Sequence, residues 1–204
     1  MIKKYQCMLV ILLGLLYCGI GQGSINIRKA QAADMPGLRE LDQDVTNEYF
    51  KPLYRAAYPH LPIGKNADRF LDQEIDQELQ WISECIASES DSSVYVALDN
   101  ENNRIVGVVL SHKIDETTLL LDLLLVRKEC RKRGVGKALI HASIKAFDDV
   151  RACIAYTDSC EENNATLRFY TLLGFKNIGP VNLEHIYGIE YKNLHSCFRL
   201  DLQE

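Results

Sequence analysis

Apolar residues along this chain switch between a spacing of about two and a spacing of three to four residues, and the switches mark out a series of strands and helices. Ser24 to Lys29 reads as a short first strand. Ala32, Ala33 and Asp34 then introduce a helix, with Asp34 as its N-cap, Pro36 in the first turn, and Leu38 and Leu41 facing inward. Tyr49 to Gly64 is rich in aromatics and holds Pro52, Pro59 and Pro62, which predicts a loop or a broken helix. From Ala67 to Ala87, Leu71, Ile75, Leu79, Ile82 and Ile86 line one face of a long second helix. Val94 to Leu98 and Arg104 to His112 predict a hairpin across the polar run 99–103. A strand from Leu119 to Val126, a helix over 134–150, a strand from Ala152 to Thr157 and a helix from Asn164 to Leu173 follow. Lys176 to Ile178 and Ser196 to Leu202 read as closing strands.

Composition narrows the class. With 204 residues and 47% hydrophobic content, the chain can bury an ordinary core as one domain, read here as 24–204. A net charge of -5, with its basic residues clustered locally, gives no sign of a nucleic-acid binder. The seven cysteines form no CxxC pair and no zinc spacing, so they read as buried thiols of a reducing compartment and not as a disulfide framework. Residues 1–23 point elsewhere. Lys3 and Lys4 precede an uncharged stretch with its most apolar part from Met8 to Leu16, followed by glycines, a pattern like a secretory signal or an anchor. A misassigned start codon is the other reading, and a cytoplasmic location is expected unless that segment exports the chain.

The stretch from Val126 to Lys137 carries the most chemistry. An apolar strand runs into a basic turn with two glycines and then into a helix N-terminus, where unpartnered N–H groups and the helix dipole favour phosphate. Arg127, Lys128, Arg131, Lys132, Arg133 and Lys137 surround Gly134, Val135 and Gly136 with positive charge. A Walker A loop would need glycine at Arg131 and a hydroxyl at Ala138, and a dinucleotide fingerprint would need a small residue at Leu139. What remains, Arg131-x-x-Gly134-x-Gly136, resembles the acetyl-CoA pyrophosphate loop of the GNAT superfamily of N-acetyltransferases. A second motif agrees: Asn163-x-x-Thr166-x-x-Phe169-Tyr170-x-x-x-Gly174-Phe175 resembles the helix that follows the fifth strand in that family.

The resemblance implies a mixed α/β (α+β) GNAT fold, with a mostly antiparallel sheet of about six to seven strands flanked by about four helices. It implies acetyl-CoA as acyl donor with no metal, bound by Leu124, Leu125 and Val126, by the loop Arg131, Lys132, Arg133, Gly134, Val135, Gly136 and Lys137, and by Asn163. Asn163 has a second reading as the cap of its helix. The family's proton donor to the CoA sulfur corresponds to Tyr170; a core tyrosine is the alternative.

Amine acetylation needs a base, because freeing the lone pair of a lysine-like amine of pKa about 10.4 costs about 4.6 kcal/mol at pH 7. Asp122 is the only charged residue between Leu119 and Val126, and strand alternation groups it with Leu124 and Val126. It reads as base or ammonium site, or else as a strand residue satisfied by backbone or a basic neighbour. Some relatives place their base where this chain has Leu120, which excludes that version. Asp72, Glu74, Asp76 and Glu78 give the second helix an acidic side, read as a solvated face or an attractor of a cationic amine. Tyr49, Tyr54, Tyr58 and His60 lie where the family builds its acceptor pocket, with core packing the reading for at least half of them. Direct transfer to a small-molecule or peptide amine in a ternary complex is the expectation, by a monomer or homodimer, with no nucleic-acid partner and a membrane or secretion link only through residues 1–23. Cys130 has no evident base partner for covalent catalysis. The alternative is a non-catalytic acyl-CoA sensor.

Overall fold

The computed structural model describes residues 25–57, 59, 66–88, 91–158, 163–181 and 195–202. The signal-like segment 1–23, Tyr58, His60 and His185 lie outside them.

Seven strands form one sheet: β1 (Ile25–Lys29), β2 (Ser92–Asp99), β3 (Arg104–Lys113), β4 (Thr118–Val126), β5 (Ala152–Asp158), β6 (Lys176–Val181) and β7 (His195–Asp201). Their order is β1-β2-β3-β4-β5-β7-β6. Every pair is antiparallel except β4 with β5. A parallel pair cannot be joined by a tight turn, so the chain crosses over through a helix between them.

The α-helices among the described residues are α1 (Met35–Val45), α2 (Lys51–Ala57), α3 (Ala67–Ser88), α4 (Val135–Lys145) and α5 (Asn164–Leu172). Their apolar faces build one core on each side of the sheet. Leu38 and Leu41 of α1, with Ile75, Leu79 and Ile82 of α3, pack with Val94, Val96, Val108 and Leu125. On the other side Leu139 and Ile140 of α4 and Tyr170 of α5 pack with Val109, Leu119, Leu121 and Phe198. The periodic residues expected to point inward on α1 and α3 do so, except that Ile86 is only partly buried and Cys85 beside it is buried.

Two local expectations are corrected, and a third is resolved in favour of the broken helix. Asp34 stands at the N-cap position of α1 but makes no cap bond. Its carboxylate is taken by Arg28, at 2.7 and 2.8 Å, and by the Gln31 N–H at 2.8 Å. The helix expected over 134–150 ends at Lys145, where the Ala146 and Phe147 N–H groups turn back to Ser143 and Ile144 and Asp149 binds Lys113. The Tyr49–Gly64 region is helical through Ala57, because a π-helical turn at Thr46–Phe50 leads straight into α2.

The strand β4 contains a bulge. Leu110 pairs with Leu123, but Ser111 pairs with Leu121, so Asp122 is the extra residue. The insertion exchanges the faces of the strand. Leu119 and Leu121 face the α4 side, as do Leu124 and Val126, whereas Leu123 and Leu125 face α1 and α3. Asp122 therefore does not share a face with Leu124 and Val126, as simple alternation predicts.

Close packing of α4 on β3 requires glycine at 107. A Cβ there would stand 3.0 Å from Leu139 Cδ1 and 3.1 Å from the Leu125 carbonyl oxygen. Gly107→Ala is expected to cost about 1–3 kcal/mol through overpacking, read from the midpoint of urea unfolding. An unchanged midpoint would show that α4 shifts freely on the sheet.

Candidate active site

The two parallel strands part company halfway along. Pairs join β4 to β5 only from Thr118 with Ala152 to Leu121 with Ala155, yet β4 runs on to Val126 and β5 to Asp158. The result is a wedge whose β4 wall is 122–126, the stretch that begins at the bulge. Leu124, Leu125 and Val126, expected to bind the donor, lie in this wall.

At the C-terminal end of that wall the chain makes a 3-10 turn, Lys128–Cys130, and then the basic loop. Lys132 and Gly134 take positive φ, 58° and 81°, and α4 begins at Val135. Gly134 takes this left-handed conformation without penalty, whereas Lys132 takes it with a side chain. The N–H groups at the start of α4 have no helical acceptor, so they are free to bind an anion. Gly136 keeps the floor of the loop low: a Cβ there would stand 3.1 Å from Phe169 Cζ. These features fit the pyrophosphate of an acyl-CoA.

Arg131 and Asn163 are held by partners that sequence reading did not provide. The Arg131 Nε donates to the Val126 carbonyl at 2.9 Å, and its guanidinium lies 5.1 Å from the centre of the Tyr49 ring. The Tyr49 hydroxyl donates to Asn163 Oδ1 at 2.5 Å and lies 3.1 Å from Thr166 Oγ1. Asn163 Nδ2 donates to Thr157 Oγ1 at 2.8 Å. Asn163 occupies the N-cap position of α5 but makes no side-chain cap bond, so its capping role is corrected. Through Tyr49, the π-helical turn reaches both the phosphate loop and the head of α5. Lys132, Arg133, Val135 and Lys137 sit in the same loop and first turn of α4.

The Asp122 side chain is wholly buried, and its Oδ2 lies 2.5 Å from His112 Nδ1. The bond to the Asp122 carboxylate raises the His112 pKa above 6.5, against the effect of burial. His112 keeps a side chain 29% exposed and stands edge-on to Trp81 of α3, with ring centres 6.1 Å apart. Of this pair only the imidazole has substantial exposure. His112 escaped sequence reading because it is remote from Asp122 in sequence. The signal lay in the hairpin register, which pairs it with Leu120.

Tyr170 stacks on Phe198 at 5.5 Å and meets Phe169 and Phe175 edge-on, both at 5.3 Å. It is 5% exposed, and burial first, then the neighbouring Cys153, pushes its pKa up. It therefore stays protonated, as a donor must. Cys130 is buried, and burial raises its thiol pKa as well.

Between α1 and α3 lies a partly open pocket of about 70 Å³, lined by Asp42, Glu74 and Glu78 together with Phe50, Tyr54 and Leu123. The acidic side of α3 thus divides in two. Asp68, Asp72 and Asp76 pair with Arg55, Lys51 and Arg39 at 2.5, 2.8 and 2.8 Å. Glu74 and Glu78 line the pocket. Asp42 is 3% exposed; its Oδ1 accepts from Thr46 at 3.2 Å, and its buried Oδ2 meets no donor among the described residues. Burial raises the Asp42 pKa to about 6, and burial with repulsion from Asp42 and Glu74 lifts Glu78 well above the usual carboxylate range.

A sheet that splays over a phosphate loop at a helix N-terminus defines an acyl-CoA-dependent transferase. The sequence profile described as the Acetyltransferase (GNAT) family matches residues 38–175, and the chain belongs to that family. Solved structures share the fold. A GNAT-family acetyltransferase from Staphylococcus aureus Mu50 superposes with a TM-score of 0.65 at 18% identity, over 88% of this chain and 100% of that one. The PaiA N-acetyltransferase of Thermoplasma acidophilum, solved with coenzyme A, gives 0.64 at 17% identity, over 87% and 99%. Arabidopsis thaliana NAA60, solved with a bisubstrate analogue, gives 0.57 at 17% identity, over 88% and 99%. No curated protein matches in sequence.

The raised Asp42 pKa fixes the sign of a pH effect. A carboxyl that keeps its proton in the folded state stabilises the fold below about 3.8, and that contribution is lost as pH rises through about 6. The loss is on the order of 3 kcal/mol. Asp42→Asn cannot ionise and can donate to Glu78, so it should unfold at a higher temperature than the parent at pH 8 and at nearly the same temperature at pH 4. A lower midpoint at pH 8 would contradict the burial of that charge.

Proposed function

We propose that the chain transfers an acetyl group from acetyl-CoA directly to a primary amine, in a ternary complex and without a covalent enzyme intermediate. The wedge between β4 and β5, opening at the phosphate loop, is the observation that carries this reading. Acetyl-CoA supplies the acetyl group as an activated thioester. Residues 131–137 hold its pyrophosphate through the N–H groups of the loop and the first turn of α4, and Leu124 to Val126 pair with its pantetheine arm. Asn163 and Arg131, now tied to Tyr49, line the passage.

The proton traffic falls to two groups. The attacking amine must lose a proton, and His112 is the acceptor, oriented and made more basic by Asp122. The buried carboxylate therefore acts through the imidazole and not on the amine itself. The departing thiolate must gain a proton, and Tyr170 is its donor. With no usable thiolate at Cys130, attack by the amine on the thioester carbonyl carbon, with loss of the C–S bond, needs no enzyme nucleophile. The working compartment in this reading is the cytosol, where acetyl-CoA is available.

Free-thiol release from acetyl-CoA with an amine panel tests the reading. Tyr170→Phe should keep acetyl-CoA affinity and lose about 100-fold or more in kcat. CoA binding with no turnover on any amine would favour the sensor alternative, and failure to bind acetyl-CoA would remove the reading altogether. The pH profile tests the base. In the parent, kcat/KM should rise with pH through a limb above 6.5, the side to which Asp122 moves His112. Asp122→Asn should shift that limb towards acid and lower its plateau; an unmoved limb would take His112 out of the mechanism.

A further inference from the structure

The pocket between α1 and α3 has no part in donor binding or proton transfer, yet it has the features of a built site. Its floor, Leu123, belongs to the same stretch of β4 that forms the wedge and lies next to the Asp122 bulge. Phe50, Tyr54, Leu71 and Ile75 give it apolar walls suited to methylene groups, and two of these are aromatic faces that attract a cation. Its volume of about 70 Å³ is several times what one water-sized group requires. No cationic side chain is among its lining residues. Among its lining residues is Asp42, 3% exposed, whose Oδ2 meets no donor among the described residues unless Glu78 carries a proton. An ammonium group has the chemistry to satisfy that oxygen in place of the Glu78 proton.

We infer that this pocket takes the second, non-reacting ammonium of a diamine or polyamine acceptor, held between Asp42 and Glu78. The inference rests on the reading of the chain as an amine acetyltransferase and names its acceptor class. A lysine-bearing peptide fits less well, because its main chain is too bulky for a pocket of this size and an acidic end would be repelled by the carboxyls. Without ligand, Asp42 and Glu78 hydrogen-bond each other through a retained proton, with Thr46 and Arg39 on the Asp42 side and Glu74 on the Glu78 side. An entering ammonium takes the place of that proton, so binding releases it to the medium.

Two measurements on the full chain separate this inference from the one beneath it. In the first, kcat/KM is compared for putrescine, spermidine and n-butylamine, which present similar reacting amines with and without further charge. The parent should prefer putrescine and spermidine to butylamine by about 10-fold or more, one decade for each 1.4 kcal/mol of added binding. Glu78→Gln and Asp42→Asn should bring the ratio close to one, while Asp76→Asn, on the solvent side of α3, should keep it. In the second, calorimetry follows spermidine binding in the presence of CoA, in buffers of different ionisation heat. Binding with proton release, lost in Glu78→Gln, supports the pocket even if no amine is acetylated, and in that case the enzymatic reading fails alone. Turnover with no preference for the diamine, a preference that neither variant alters, or no spermidine binding by the parent overturns the inference while leaving acetyl transfer standing.

Discussion

One inserted residue governs the site. Where β4 takes Asp122 as a bulge against β3, it turns by one side-chain position, and two consequences follow together. Leu123 and Leu125 are committed to the α1 and α3 core while Leu124 and Val126 face α4. Pairing with β5, sustained up to Leu121, ends where the bulge begins. A bulge strengthens local twist and bends its strand, which is what a sheet needs in order to open into a wedge without breaking its pairing on the other edge. The Asp122 carboxylate is fixed at the same point, and it holds His112 of the neighbouring strand.

Topology places the phosphate loop beside this opening. Because β4 and β5 are parallel, the chain must leave the end of β4 and return along the sheet through α4, and the helix N-terminus therefore sits at the carboxyl end of β4. Gly107 lets α4 lie close on β3, and Gly136 lets its first turn lie close on Phe169 of α5. Arg127 ties the other side down. It is buried, donates through Nε to the Ile105 carbonyl, and pairs with Glu40 and Asp44 of α1. The basic loop is therefore framed by contacts to both faces of the sheet.

What could be read from the sequence was whatever depends on near neighbours. The helical spacing of Leu71, Ile75 and Leu79, the hairpin at 99–103 and the strand–loop–helix around Gly134 all express local preference and period. The family resemblance was carried by two such local motifs, and the sheet and its helices follow the fold it implied. What was not legible depends on register across the sheet. Alternation assigns Asp122 the wrong face because a bulge leaves no mark in composition. His112 cannot be matched with Asp122 until β3 and β4 are aligned. Asp34 and Asn163 occupy cap positions, but Arg28 and Tyr49 compete for their side chains, and such long-range partners override a local preference.

The chain also sets two buried acids in opposed surroundings, and that contrast bears on chemistry. Asp122 lies against an imidazole, so its charge is answered within the protein, and the effect is exported to His112 as greater basicity. Asp42 is withdrawn from water, and burial holds its proton to about pH 6 against the opposing pull of Thr46, Glu78 and Arg39. A site that must deprotonate one end of a molecule and hold the other end as a cation needs both arrangements: one acid that makes a neighbour into a base, and another that exchanges its proton for a positive charge. Leu123 follows Asp122 directly in β4 and floors the pocket that contains Asp42. A single strand thus links the two environments, and a straight β4 without its bulge could not serve both.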